Sequence, residues 1–340
     1  MAMALFMLFA GTSMNATASE ITADEASVLK VSHTSDGIVD LGRLVSKFIQ
    51  KNKCSSVTVE FEAGQIYEIN RFKIPQLESI TLAGAADEKG NKTKLILSNV
   101  VFTSPIQSLS FNNVCIDGNA TRFLLAWDGD MYAKSLAFVG CEVRNINQGI
   151  VRVGKDGAGM SIKDITFDDC ILSEISTGGW GAINIGSDVI SLERVAITNC
   201  TVLNIGDRFV DLRGGVGEVI VENCTFYNSA KAKRELGRVF QLRNTGKTPV
   251  SPQILTVRNV IFAGGNAGLP MNAGGSKYKC LDFSDNNYIT SDLQEGNVPF
   301  NGITKLEIVS DKFFANPRKG DFHIKAKFTG RGKTGDPRWY

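Results

Sequence analysis

Apolar and polar positions alternate along most of this chain, and between Leu109 and Phe262 one eight-residue pattern returns six times. It reads apolar, any, apolar, any, Asn/Asp/Gly, apolar or Cys, any, apolar, in the copies LSFNNVCI, LAFVGCEV, ITFDDCIL, VAITNCTV, VIVENCTF and LTVRNVIF. Their third residues are Phe111, Phe138, Phe167, Ile197, Val221 and Val257, spaced by 27, 29, 30, 24 and 36 residues. The alternation predicts a strand, and repetition at this period predicts a solenoid, whose units bury a core only by stacking. The fifth position holds Asn113, Gly140, Asp169, Asn199, Asn223 and Asn259, residue types that tolerate left-handed backbone angles, so one sharp bend is expected at the same place in every coil. The sixth, Val114, Cys141, Cys170, Cys200, Cys224 and Val260, points inward on a second strand. The reading is all-β: a parallel β-helix.

A third strand per coil is visible at residues 123–127, 150–153, 182–185, 209–213 and 239–243. With Val151/Val153, Ile183/Ile185, Val210/Leu212 and Phe240/Leu242 inward, the residues between them, Arg152, Asn184, Asp211 and Gln241, are predicted to face solvent as one row. Gly154, Gly186, Arg213 and Arg243 come one step later. Upstream, Ile38, Leu41, Leu44, Val45 and Ile49 share a helical face, and an amphipathic helix there would cover the open solenoid end. The expected organisation is a signal peptide at 1–18, an N-terminal cap with the first strands at 19–70, the β-helix at 71–290 and a C-terminal cap at 291–340. Val57–Phe61 reads as the first strand. Residues 95–102 read as a strand of the coil that contains Phe111, and Leu281 to Phe283 as a degenerate seventh copy.

Composition adds three constraints. The apolar run and small residues of MAMALFMLFAGTSMNATA, ending in an A-x-A site, predict export with cleavage after Ala18; the protein would then be secreted, periplasmic or at the cell surface. A net charge of +2 gives no global pull toward nucleic acid, and no later stretch is apolar enough to span a bilayer. Seven Cys in an exported chain would suggest disulfides, but four occupy the same inward slot of successive coils, where parallel side chains do not face one another. Reduced, core-forming thiols are expected, and thiolates in one line make no tetrahedral metal site.

The amphipathic cap followed by VTVEFEAGQIYEI, the Asn-bend coils and the ending FFANPRKGDFHIKAKF…GDPRW together resemble the pectate-lyase-like parallel β-helix superfamily, and within it the exported β-helix proteins of polysaccharide-degrading, Bacteroides-type bacteria. The resemblance covers almost the whole mature chain. It implies a right-handed three-sheet parallel β-helix acting as a monomer on a polysaccharide, with its site on the outer side of the first sheet. That singles out Arg152, Asn184 and Gln241 with Lys155 and Asp128 from adjoining loops, and Trp127 and Trp180 as flanking rings, as substrate contacts.

Eliminative cleavage of a uronate polymer needs the carboxylate neutralised and a base beside the acidic carbon. Arg213 and Arg243, one coil apart, with Asp211 next to them, are the catalytic candidates. The Arg-x-x-Pro-x-x-Arg element of pectate lyases is absent, and no clustered Asp residues form a strong Ca²⁺ site, so Ca²⁺ is compatible with the fold but indicated by no motif. Paired carboxylates for hydrolysis are missing as well, and both His residues, His33 and His323, lie in the predicted caps. The expected function is therefore an exported lyase on an acidic glycan, with a non-catalytic glycan-binding or adhesion β-helix as the alternative.

Overall fold

The computed structural model describes residues 27–127, 133–153, 162–186, 192–229, 238–242, 254–264, 272–273, 280–282, 286–293 and 303–340. They form a parallel β-solenoid of about seven turns with a short N-terminal helix. The signal segment 1–18 lies outside the described residues, as does Phe283.

The repeated pattern becomes the second face of the tube. Ten parallel strands stack there, from Ser27–Val31 to Cys280–Asp282. Leu29, Val59, Leu82, Phe111, Phe138, Phe167, Ile197, Val221 and Val257 align residue for residue. Leu281 pairs with Leu255, so the strand of the expected seventh copy continues this face as far as Asp282. Inside, the rings of Phe111, Phe138 and Phe167 stack at 4.8 and 4.7 Å, each pair adding about 0.5–1.5 kcal/mol beyond its burial.

The other two faces are joined in the early coils. The strands Ile66–Ile74, Thr93–Phe102, Val114–Trp127 and Glu142–Val153 run round a corner, so the third and first faces bond as one 14-stranded sheet. From there the faces separate. Ile171–Ile175, Thr201–Ile205, Thr225–Tyr227 and Ile261–Ala263 continue the third face, and Gly181–Ile185, Arg208–Leu212 and Arg238–Leu242 the first. Residues 95–102 therefore belong to the coil opened by Ser79–Ala83, one turn earlier than expected; the following second-face strand, Ile106–Asn112, starts only after them.

Each bend residue of the repeat is left-handed, with φ of 54° at Asn113, 63° at Gly140, 53° at Asp169, Asn199 and Asn223, and 55° at Asn259. Their amides stack as well: Asn199 donates to Asp168, Asn223 to Asn199 and Asn259 to Asn223 at 2.9–3.2 Å. A second left-handed corner follows five residues later at Asn145, Glu174, Asn204, Asn228 and Gly264. It has its own ladder, Asn228 to Asn204 at 2.8 Å and Asn204 to Glu174 at 2.6 Å.

The four inward cysteines are buried and reduced. Each thiol donates to a carbonyl of the preceding coil, Cys141 to Phe111, Cys170 to Phe138, Cys200 to Phe167 and Cys224 to Ile197, at 3.2–3.5 Å. The neighbouring Cys170 sulfur, together with burial, pushes the Cys141 thiol far up, and burial does the same to Cys170 and Cys200. Thiolate chemistry is thereby suppressed at these three positions.

The short N-terminal helix is present, and both ends of the tube add detail to the expectation. A strand, Ser27–Val31, precedes the helix and pairs in parallel with Ser56–Phe61, so Leu41–Asn52 is the crossover between the first two rungs. Leu41 and Val45 are buried, but Leu44 is 40% and Ile38 59% exposed. Ile38 lies before the Asp40 N-cap in an extended bridge to Glu68, where Val39 takes the inward place. At the other end, residues 303–340 do more than close the tube. Their Phe313, Phe314, Phe322 and Ile324 pack on the outward Ile261 and Ala263 of the third face. The final turn crosses the coils: Thr201 donates to Asp336 and Trp339 to Thr201, both at 2.7 Å, and the Asp336 N–H bonds to Thr225. Arg338 reaches Asp336 and Asp169. Burial pushes the Asp336 carboxyl up, against its bonds from Thr201 and Arg338.

Replacing Asn223 by Val should cost about 1–3 kcal/mol, from left-handed strain and two lost amide bonds, measured by denaturant unfolding. Asn223→Gly keeps the backbone angle and should cost less. Alkylation of the folded chain, read by mass spectrometry, should mark the half-buried Cys54 and spare Cys141, Cys170, Cys200 and Cys224.

Candidate functional site

On the first face the expected row is in register. Ala126, Arg152, Asn184, Asp211, Gln241 and Asn272 are successive cross-strand partners, one coil apart. Parallel rungs set their spacing at about 4.8 Å. The row does not face open solvent as the alternation implied, however. Asn184, Asp211 and Gln241 are only 4%, 4% and 5% exposed, because both sides of these strands are covered: the strand Gly181–Ile185 is buried at all five positions.

Arg152 is half-buried between two rings, its guanidinium carbon 5.2 Å from the centroid of Phe123 and 5.4 Å from that of Trp180. The rings themselves meet edge to face at 6.0 Å. Such cation–π contacts contribute about 0.5–2 kcal/mol and hold the guanidinium in one place. Trp180 is set there by the turn Ser176–Thr177–Gly178–Gly179. Thr177, Gly178 and Gly179 have φ of 54°, 48° and 88°, three left-handed residues in a row, one of them β-branched. Backbone strain of this kind persists where surroundings enforce it. Here the enforcement comes from the next coil: Asp207 accepts from the Gly179 N–H and Arg208 donates to the Gly179 carbonyl at 2.8 Å. Gly206 allows the approach, since a Cβ there would lie 1.9 Å from the Ser176 carbonyl oxygen.

Arg208 has a second role. Its guanidinium pairs with Asp211, three residues on, at 3.0 Å. Arg238 is its register partner in the next coil, so two arginines lie side by side across the rungs. Like charges directly opposite are unfavourable, and Asp211 pairs with Arg208. Two acceptors beside Asp211 are unsatisfied: Asn184 Oδ1 and Gln241 Oε1 have no hydrogen-bond partner among the described residues. Each buried orphan costs about 1–3 kcal/mol relative to a bonded one.

Arg213 is exposed, and its backbone N–H is fixed by the Ile185 carbonyl at 2.9 Å. Arg243, Lys155 and Asp128 lie outside the described residues. Trp127 ends its strand opposite Val153. The structure thus brings together Arg152, Trp180, Asn184, Asp211 and Gln241, and adds Phe123, Arg208 and Arg238. The last two carry a signal in the sequence: RFVDLR at 208–213 and RVFQLR at 238–243 share one apolar–polar pattern, beginning as well as ending in Arg. Among the described residues no three His, Cys, Asp or Glu side chains converge as a metal site, and no helix is long and apolar enough to cross a membrane.

Residues 219–339 match a family described as a domain of unknown function (DUF5123). The match starts within the second-face strand Val216–Glu222 and extends through the C-terminal segment that crosses the third face. Comparison with curated proteins gives no match.

Asp211→Ala should destabilise the fold by about 1–3 kcal/mol, because it leaves Arg208 half-buried beside Arg238 without its carboxylate. Thermal unfolding with and without the additional Arg208→Ala change measures the coupling, and the double variant should recover part of the loss.

Proposed function

We propose that this chain is an exported, polysaccharide-handling β-solenoid of the pectate-lyase-like kind, whose first face receives an acidic glycan. The observation that carries this reading is the cluster of basic residues on the first face. Arg152 lies between the Trp180 and Phe123 rings, and Arg213 and Arg238 stand two and three rungs further along, on adjacent coils. Repeating carboxylates along a glycan match guanidinium groups repeated along a tube, and an indole face offers a sugar ring a stacking surface. A solenoid supplies an extended binding surface because its side chains recur at a fixed rise.

Binding is the part of this reading that the geometry favours. Asp211 is engaged by Arg208, and Arg152 is held between rings, so neither is disposed to move a proton. A second reading, β-elimination, rests on Arg213, whose exposed guanidinium stands two residues beyond Asp211. In that chemistry a base removes the proton next to the sugar carboxylate, the bond to the leaving oxygen breaks, and a conjugated double bond remains in the product. A neighbouring guanidinium would stabilise the charge that develops on the carboxylate.

The test is affinity electrophoresis against polygalacturonate and a neutral galactan, with ultraviolet absorbance of the conjugated product followed in parallel. Selective retardation by polygalacturonate, weakened about tenfold in Trp180→Ala, is the expected result. New absorbance that disappears in Arg213→Ala would establish the lyase reading, and indifference to both polymers would end the proposal.

A further inference from the structure

Two successive coils write related hexamers, RFVDLR and RVFQLR, whose one polar difference is Asp211 against Gln241. Arg208 and Asp211 stand at the same register positions as Arg238 and Gln241. In the first coil the carboxylate and guanidinium satisfy each other at 3.0 Å. In the second the acid is replaced by its neutral counterpart, an amide. Among the described residues Arg238 makes no ion pair, and Gln241 Oε1, in a side chain 5% exposed, has no donor. Arg238 is half-buried, so part of the residue is open to solvent.

Resting on the acidic-glycan reading above, we propose that Arg238 and Gln241 form the subsite that reads the sugar carboxylate, and that they set the specificity of the first face. A ligand carboxylate pairs with Arg238 as Asp211 pairs with Arg208, and a hydroxyl of the same ring donates to Gln241 Oε1. The chemical class that carries both groups on one sugar ring is a hexuronate. Charge-assisted pairing supplies the affinity, and the otherwise orphaned acceptor supplies the demand for a hydroxyl. The pairing also relieves a conflict built into the tube: Arg208 and Arg238 are register partners across rungs, and of the two only Arg208 makes an ion pair among the described residues. Arg208 is the positioning residue of the arrangement, held to Gly179 and Asp211 and unavailable to the ligand.

The inference makes a specific demand on Gln241→Asp. That change writes the Arg208–Asp211 pair into the next coil, so the protein satisfies Arg238 internally and competes with the ligand. Galacturonate and galactose, which differ at the carboxylate carbon, are the probes, titrated by isothermal calorimetry or ligand-observed NMR. The native chain should bind galacturonate in preference to galactose. Gln241→Asp should lower galacturonate binding about tenfold or more while its unfolding temperature is unchanged or raised, and Arg238→Ala should lower it similarly. Gln241→Asp binding galacturonate like the native chain overturns the inference, as does a native chain that does not distinguish the two sugars. Polymer binding that depends on Trp180 but is indifferent to Arg238 and Gln241 refutes the subsite and keeps the glycan-binding reading. Galacturonate binding without polymer binding does the reverse.

Discussion

Every coil of this molecule must return to the same starting point, and the left-handed bend between the second and third faces enforces it. A strand that turns at φ near 54° leaves its inward residues aligned with those of the coil below, and the side-chain amides of Asn199, Asn223 and Asn259 bond that alignment from rung to rung. The loops between coils vary in length by a dozen residues, as the steps from 24 to 36 show, without disturbing the register. Loop closure entropy grows slowly with length, so such insertions cost little once the corner is fixed. The thiol column has the same origin. A cysteine just past the bend is small enough for the corner and donates its S–H to a carbonyl of the coil before.

The repeat was legible because its signal is local: alternation, bend and inward slot fall within eight residues. The second corner carries a signal nearly as strong, since Asn204 and Asn228 follow Asn199 and Asn223 by the same five residues. It is obscured where Glu174 substitutes for asparagine. What local pattern could not give was coverage. Alternation places Asn184, Asp211 and Gln241 on the outer side of their strands, but it carries no information about what packs over that side. The Ser27–Val31 strand was hidden for a related reason, because its burial alternates weakly at the rim of the tube. The helix face was misjudged by including Ile38, which precedes the N-cap.

On the first face, the same stacking that makes the fold also creates an electrostatic difficulty. Register brings Arg208 onto Arg238 whatever the side chains prefer. The protein answers once with Asp211 and once with an amide, and it ties Arg208 and Asp207 to a strained turn that sets Trp180 against Arg152. Structural demands explain Asp211. They do not explain Arg238 and Gln241, and a residue pair that fits a fold imperfectly is where function is usually found. The family match over 219–339 takes in this coil and the segment beyond it.

The C-terminal crossing has a consequence for how the tube comes apart. Solenoids ordinarily fray from an end, one repeat at a time, since each unit touches only its neighbours. Here Asp336, Arg338 and Trp339 lie 111 to 169 residues from their partners and span the coils of Asp169, Thr201 and Thr225 together. A tie rod of that kind couples those coils into one cooperative block, so unwinding from the C-terminal end has to release all of them at once. The amino-terminal windings lack an equivalent brace among the described residues and are free to peel singly.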